Sequence, residues 1–205
     1  LDESADSLWV TRSINAPDDS DLSNPRARDM PIVAFGAEDA EVIVGGVNTA
    51  DRLYGSGGTD VLQGKGGDDY LEGGAGLDVY QYDAGGVFGG LSGNDGADTI
   101  LDIDGKGILR YHYDPGLMTA AIDTVIADAS VKLSETEWQS TNGRFTYTRQ
   151  GMDLLVVLND AAGGSLLLRD WREGDARTIA LSGSRAGLSR RSPRGDRHAT
   201  VQSPA

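Results

Sequence analysis

The chain has 205 residues, 39% of them hydrophobic and only 6% aromatic, which suits one or two small domains rather than one large core. It holds no cysteine and no run of eighteen apolar residues, which excludes disulfide staples and a membrane-spanning helix. With 32 acidic against 18 basic side chains and a formal charge of −14, it is an anion that attracts cations and repels nucleic acid and anionic lipid.

Residues 1–31 are polar, rich in Asp and Ser and broken by Pro17, Pro25 and Pro31, which reads as a linker or an N-terminal cap. The chain opens on Leu1 with no charged segment followed by an apolar one, so the expectation is a fragment of a larger protein without an N-terminal signal peptide. Ile32-Val33-Ala34-Phe35 then looks like a short strand that covers the open end of a repeat array beginning at Gly36, with Phe35 as a capping residue.

From Gly36 to Gln81 a nine-residue unit repeats five times: GAEDAEVIV, GGVNTADRLY, GSGGTDVLQ, GKGGDDYLE and GGAGLDVYQ. One unit has ten residues and absorbs the extra one between Asn48 and Ala50. The acidic series is Glu41, Asp51, Asp60, Asp69, Asp78, and the apolar series two places on is Ile43, Leu53, Leu62, Leu71, Tyr80. Glycines open each turn because glycine adopts positive φ freely, and an x-apolar-x triplet aims one side chain inward. The spacing therefore predicts a solenoid of turns alternating between two edges, with each unit stacked on the next but one. Carboxylates would pair as Glu41 with Asp60, Asp51 with Asp69, and Asp60 with Asp78, and Ca²⁺, which takes roughly 6 to 8 oxygens, would lie between stacked turns. The segment holds nine acidic residues, two basic ones and twelve glycines, so repulsion and chain entropy both oppose folding until cations arrive.

These units resemble the GGxGxDxUx nonapeptide of the RTX family, the repeat-in-toxin or haemolysin-type calcium-binding proteins of bacteria. The resemblance implies an all-β fold, a parallel β-roll followed by a β-rich C-terminal capping region, with several bound Ca²⁺ ions. Carried over by position, the metal-site carboxylates are Asp51, Asp60, Asp69 and Asp78, with Glu41 standing where the family has Asp, and Asp98 in a sixth unit. The turn glycines whose carbonyls would join them are Gly55, Gly57, Gly64, Gly66, Gly73 and Gly76. The resemblance further implies export by type I secretion machinery and folding in extracellular calcium, either secreted or at the cell surface, at an affinity of about 10⁻⁴ to 10⁻³ M.

After Gln81 the register pauses over 82–92, expected to be a surface insertion, with Val87 and Phe88 as a minor candidate for a partner contact. The sixth unit, GNDGADTIL, restores Asp98 and Ile100, and the adjoining LDIDGKG stretch places Asp102 and Asp104 around a turn. Either could join a last ion site, although solvated turn residues are the stronger reading. The β-roll is thus expected over 32–104 and a β-rich cap over 105–183. In the cap, Phe145–Thr148 and Leu154–Leu158 form a hairpin, Ser165–Leu168 is a further strand, and Trp138 and Trp171 pack in a core. The cap's role would be to close the roll and nucleate calcium-driven folding. Residues 184–205, with five basic side chains, one acidic and little to bury, read as a disordered basic tail.

No catalytic constellation is expected in this chain. His112 and His198 make no HExxH pair, no GxSxG elbow occurs, no cysteine nucleophile exists, and the glycines at 55–58 lack the GK[ST] of a P-loop. The leading expectation is a calcium-dependent folding module at the C-terminal end of a larger exported toxin or hydrolase. The alternative is a structural or adhesive module stiffened by calcium.

Overall fold

The structure, a computed structural model, describes residues 9–11, 31–46, 48–86, 95–114, 122–159, 163–172 and 179–181. The Val87 and Phe88 contact, the basic tail and most of the expected N-terminal linker lie outside the described residues; within that linker Trp9–Thr11 form a strand that pairs parallel with residues 32–34, because the chain there meets the free edge of the sheet. Every described element is a strand. In chain order the first part comprises β1 (Trp9–Thr11), β2 (Ile32–Phe35), β3 (Val42–Val44), β4 (Arg52–Tyr54), β5 (Gly57–Gly58), β6 (Val61–Gln63), β7 (Tyr70–Glu72), β8 (Ala75–Gly76), β9 (Val79–Gly86), β10 (Ala97–Leu101) and β11 (Ile108–Asp114). The second part comprises β12 (Ile122–Val125), β13 (Asp128–Ala129), β14 (Val131–Lys132), β15 (Glu137–Gln139), β16 (Phe145–Gln150), β17 (Asp153–Leu158), β18 (Ser165–Arg169) and β19 (Ala180–Leu181).

The nine-residue period has a direct structural consequence. Each of the first four units contributes one three-residue strand to the two facing sheets, too short to turn more than one large side chain inward, and these strands fall alternately into the two sheets. One sheet runs β12-β11-β9-β6-β3, parallel from β3 to β11 and closed by antiparallel β12. The other begins β1-β2-β4-β7-β10, also parallel. Ile43, Leu62, Tyr80 and Leu109 from one sheet meet Ala34, Leu53, Leu71 and Ile100 from the other, all at most 6% exposed. Burying one such leucine is worth about 1.5–3 kcal/mol. All-β architecture with a parallel roll is therefore the fold of this chain.

Two local readings change. Ile32–Phe35 does not lie across the roll's end: it pairs in register with β4 and extends the sheet. Phe35 is 43% exposed and stacks on Tyr54 at 5.0 Å along the outer face. Tyr82 to Gly86, expected in the insertion, instead lengthen β9 and pair with β11, and Tyr82 is fully buried. The register of apolar residues pauses there, yet backbone pairing does not, because Tyr111 offers β9 a matching partner.

The C-terminal region continues the roll. β18 pairs parallel with β10, Asp98 opposite Leu166 and Ile100 opposite Leu168, taking the place of the next coil. On its other side β18 is antiparallel to β17, which continues through β16 and β15 to β14. The sheet that begins at β1 is thus ten strands long and changes from parallel to antiparallel at β18. The expected hairpin is present, its turn drawn in to Gly151 and Met152. Alternating side chains of β16 and β17 are buried, and Trp138, Phe145, Tyr147, Leu154 and Val156 join the roll's residues in one cluster.

Candidate metal centre

The sixth-position acids fall on two edges, as stacking of each unit on the next but one requires. Turns 36–41, 55–60 and 73–78 share the first edge, and the turns ending in Asp51, Asp69 and Asp98 share the second. Each acid sits immediately before its strand, except Asp98, which is the second residue of β10, so the parallel register stacks the acids. Their backbones are joined: Val61 N–H donates to Glu41 O at 2.8 Å, Val79 N–H to Asp60 O at 2.7 Å, Tyr70 N–H to Asp51 O at 2.9 Å and Thr99 N–H to Asp69 O at 2.7 Å.

A ladder of carboxylates runs down each edge. On the first, Asp60 Oδ1 accepts Glu41 N–H at 2.9 Å and Asp78 Oδ1 accepts Asp60 N–H at 3.0 Å. On the second, Asp51 Oδ1 accepts Ile32 N–H at 2.7 Å, Asp69 Oδ1 accepts Asp51 N–H at 2.7 Å, and Asp98 Oδ1 accepts Asp69 N–H at 3.1 Å. One oxygen of each aspartate is thereby fixed. The second oxygens divide the five acids from Glu41 to Asp78 into two groups. Both Glu41 oxygens face Ala37 N–H, and Asp51 Oδ2 accepts Gly46 N–H, so these acids fold back on their own turns. The Oδ2 atoms of Asp60, Asp69 and Asp78 are buried with no hydrogen-bond partner. A buried, unpaired carboxylate oxygen is costly, and a cation relieves that cost.

The surroundings of these oxygens suit a hard cation. A Cβ added to Gly55 would sit 2.5 Å from Asp60 Oδ2 and in collision with Gly73 O, and one on Gly64 or Gly73 would strike Asp69 or Asp78 Oδ2. First-position glycines are needed because a carboxylate and the carbonyl of the next turn occupy the space a side chain would take. Gly58 packs on Asp39 O and Gly76 on Gly58 O along the first edge, while Gly67 packs on Thr49 O and Gly96 on Gly67 O along the second. Gly57 and Gly66 are buried within the turns. Among the described residues no three His, Cys, Asp or Glu side chains converge as a metal group. Backbone carbonyls and water would therefore supply much of any shell, as calcium accepts and zinc does not. The residues fit calcium.

Burial, reinforced by neighbouring carboxylates, holds these acids above the ordinary carboxylate range. Asp60 is pushed up to about 6, with Asp78 and Glu41 adding repulsion, and Asp69 to about 7, with Asp51 and Asp68 adding to it. Asp98 rises to about 8 through burial and the charge of Asp69, while burial raises Asp51 and Asp78 as well. Each shift says that the stacked carboxylates resist ionisation until positive charge enters.

Asp95 belongs to this environment although the spacing did not single it out. It is 3% exposed and pushed up to about 9 by burial and by Asp83, Asp98 and Asp69. Its carboxylate accepts Asp83 N–H, and its own N–H donates to Tyr82 Oη at 3.1 Å, fastening the second edge to β9. The only signal was an acid at the third position of the sixth unit, where the other units carry varied residues. Asp102 and Asp104 also lie near this chemistry, packed below turn 73–78.

Two parallel sheets joined by glycine turns, with a carboxylate ladder along each edge, define a calcium-binding β-roll. Residues 45–80 match the RTX calcium-binding nonapeptide repeat in four copies, and the chain carries that repeat block. RTX nonapeptide repeats bind calcium, so calcium binding is the property that this block brings. The solution structure of the AlgE6R3 subunit from the Azotobacter vinelandii mannuronan C5-epimerase is similar at 22% identity, over 87% of this chain and 93% of that one, with a TM-score of 0.39. No curated protein matches the chain. No helix among the described residues is long and apolar enough to cross a membrane.

Proposed function

We propose that this chain is a calcium-responsive folding module, the C-terminal part of a larger exported toxin or hydrolase, and is not itself a catalyst. The observation that carries the reading is the set of buried, partnerless Oδ2 atoms on Asp60, Asp69 and Asp78, each held against a glycine that leaves no room for a side chain. Several ions would bind, with Glu41, Asp51, Asp60, Asp69, Asp78 and Asp98 as carboxylate donors and carbonyls of the turn residues, including Gly55, Gly57, Gly64, Gly66, Gly73 and Gly76, completing the shells. Calcium supplies the positive charge that lets stacked, ionised carboxylates remain buried. The protein's own part is to fix one oxygen of Asp60, Asp69 and Asp78 through the N–H ladder and leave the other available.

On this reading the chain stays unfolded where calcium is scarce, passes unfolded through type I secretion machinery, and folds in the extracellular medium or at the cell surface. Metal binding is then folding free energy itself. The test is far-UV circular dichroism during a Ca²⁺ titration of chelator-treated protein, with Mg²⁺ as control. Cooperative conversion from a disordered to a β signal with Ca²⁺ alone is expected. A spectrum already folded and indifferent to calcium would overturn the reading.

A further inference from the structure

The first edge does not stop where the nonapeptides stop. Ile108 pairs with Val79 as Val79 pairs with Val61 and Val61 with Val42, so Gly107 occupies the position held in earlier coils by Asp78, Asp60 and Glu41. The same backbone bond recurs, Ile108 N–H to Asp78 O at 2.8 Å. Gly107 has no carboxylate to continue the ladder. Five residues earlier stands Asp102, whose Oδ2 accepts Gly107 N–H at 2.6 Å.

In turns 55–60, 64–69 and 73–78 a glycine comes first and the acid five places later, with the glycine α-carbon against the acid's Oδ2. In turn 102–107 the order is reversed. A Cβ on Gly107 would lie 2.8 Å from Asp102 Oδ2, so the glycine and the carboxylate keep the same mutual contact with their places in the chain exchanged. Asp102 Oδ1 is buried without a hydrogen-bond partner, as is Oδ2 of Asp78, which is fully buried in the coil above. Asp104 is not in the same condition: Lys106 Nζ at 2.8 Å and the N–H groups of Gly76 and Lys106 at 3.1 Å satisfy it. Tyr80 ties the two turns together, its hydroxyl accepting Gly73 N–H at 3.0 Å and donating to Leu101 O at 3.4 Å. A cleft of about 610 Å³ lined by Asp102, Asp104, Leu168 and Trp171 lies beside this turn.

We infer that turn 102–107 closes the first edge as a further calcium site outside the repeat block, with Asp102 supplying the carboxylate that Gly107 lacks and Asp78 supplying the other. This rests on the calcium-module reading above. It extends the ion-binding edge into a segment that departs from the nonapeptide pattern.

The test counts ions bound to the full chain by isothermal titration with Ca²⁺. Asp102→Asn keeps the size of the side chain and an oxygen for Gly107 N–H, and is expected to bind one ion fewer than wild type while reaching the same calcium-saturated dichroism spectrum. Asp104→Asn is expected to bind the full number. A wild-type ion count and midpoint in Asp102→Asn would overturn this site and leave the repeat sites standing, whereas no uptake by the wild-type chain would overturn both. Should Asp102→Asn fail to fold, terbium emission excited through tyrosine decides the matter, since Tyr80 lies beside Gly107. A fall in emission in Tyr80→Phe relative to wild type is expected, and unchanged emission would overturn the inference.

Discussion

Two acids of one series do different work. Asp60 takes a backbone N–H from the coil above with Oδ1 and holds Oδ2 unpaired, so it faces shared sites on both sides, whereas Glu41 spends both oxygens on Ala37 N–H. Asp60→Ala should therefore raise the calcium midpoint more than Glu41→Ala, by on the order of tenfold, which corresponds to about 1.4 kcal/mol. Equal midpoints in parallel dichroism titrations would contradict that ordering. The same acids set a pH dependence. In the metal-free fold Asp60, Asp69 and Asp98 stand at about 6, 7 and 8, against about 4 in an unfolded chain. The metal-free fold thus holds extra protons, and the stability they contribute is complete below about pH 4 and lost as pH rises through 6 to 8. Chelated protein should show more β signal at pH 5 than at pH 8. Calcium affinity runs the other way, because the ion displaces protons, so the calcium midpoint should fall from pH 6 to pH 8. A midpoint that is flat over that range would rule this coupling out.

At the level of the turns, glycines are required for two separable reasons. Gly76 has φ +138° and its missing Cβ would run into the Gly58 carbonyl of the coil above, while Gly143 has φ +71° with open space around it. Gly143→Ala should cost about 1 kcal/mol through backbone strain alone, a shift of a few degrees in the thermal midpoint of the calcium-loaded protein. Gly76→Ala adds a backbone collision that no rotamer change relieves, and should move the calcium-driven transition to at least several-fold higher calcium. Identical transitions in the two variants would show that stacking of the turns does not limit the roll. The paired strands were legible from spacing, since Leu53, Leu62 and Leu71 recur every nine residues and all are at most 1% exposed. The lengthening of β9 through Tyr82 was not, because a buried tyrosine beyond the repeat is explained only by its partner Tyr111 on β11 and by its bond to Gly163 O at 2.7 Å.

Across the whole molecule, the roll and the C-terminal hairpins share one ten-stranded sheet and one core. β18 pairs with the last coil of its sheet, so disorder in the hairpins would expose the edge of β10. Leu154 is fully buried in β17, and Leu154→Ala should destabilise the protein by about 2–5 kcal/mol. Because the sheet is continuous, that loss should raise the calcium concentration needed to fold the roll, and tryptophan fluorescence, read in a Trp9→Phe background so that it reports only Trp138 and Trp171 near the hairpins, should change together with the far-UV signal. Two separate transitions, with an unmoved calcium midpoint, would instead show that the roll folds alone.

The sequence by itself determined the roll: a glycine, an acid and an apolar residue returning every nine positions dictate inward and edge positions through local geometry, and hence the two carboxylate columns and their affinity for calcium. The C-terminal hairpin was legible for the same reason, since alternation over Phe145–Gln150 and Asp153–Leu158 is a local pattern. Tertiary structure alone decided which acids keep a free oxygen, how Asp95 enters the second edge, and that Asp102 stands in for an acid at position 107. It also decided that β18 completes the roll's sheet. Each of these depends on which backbone lies above or below a given turn, a contact between residues far apart in the chain that no spacing within one unit encodes.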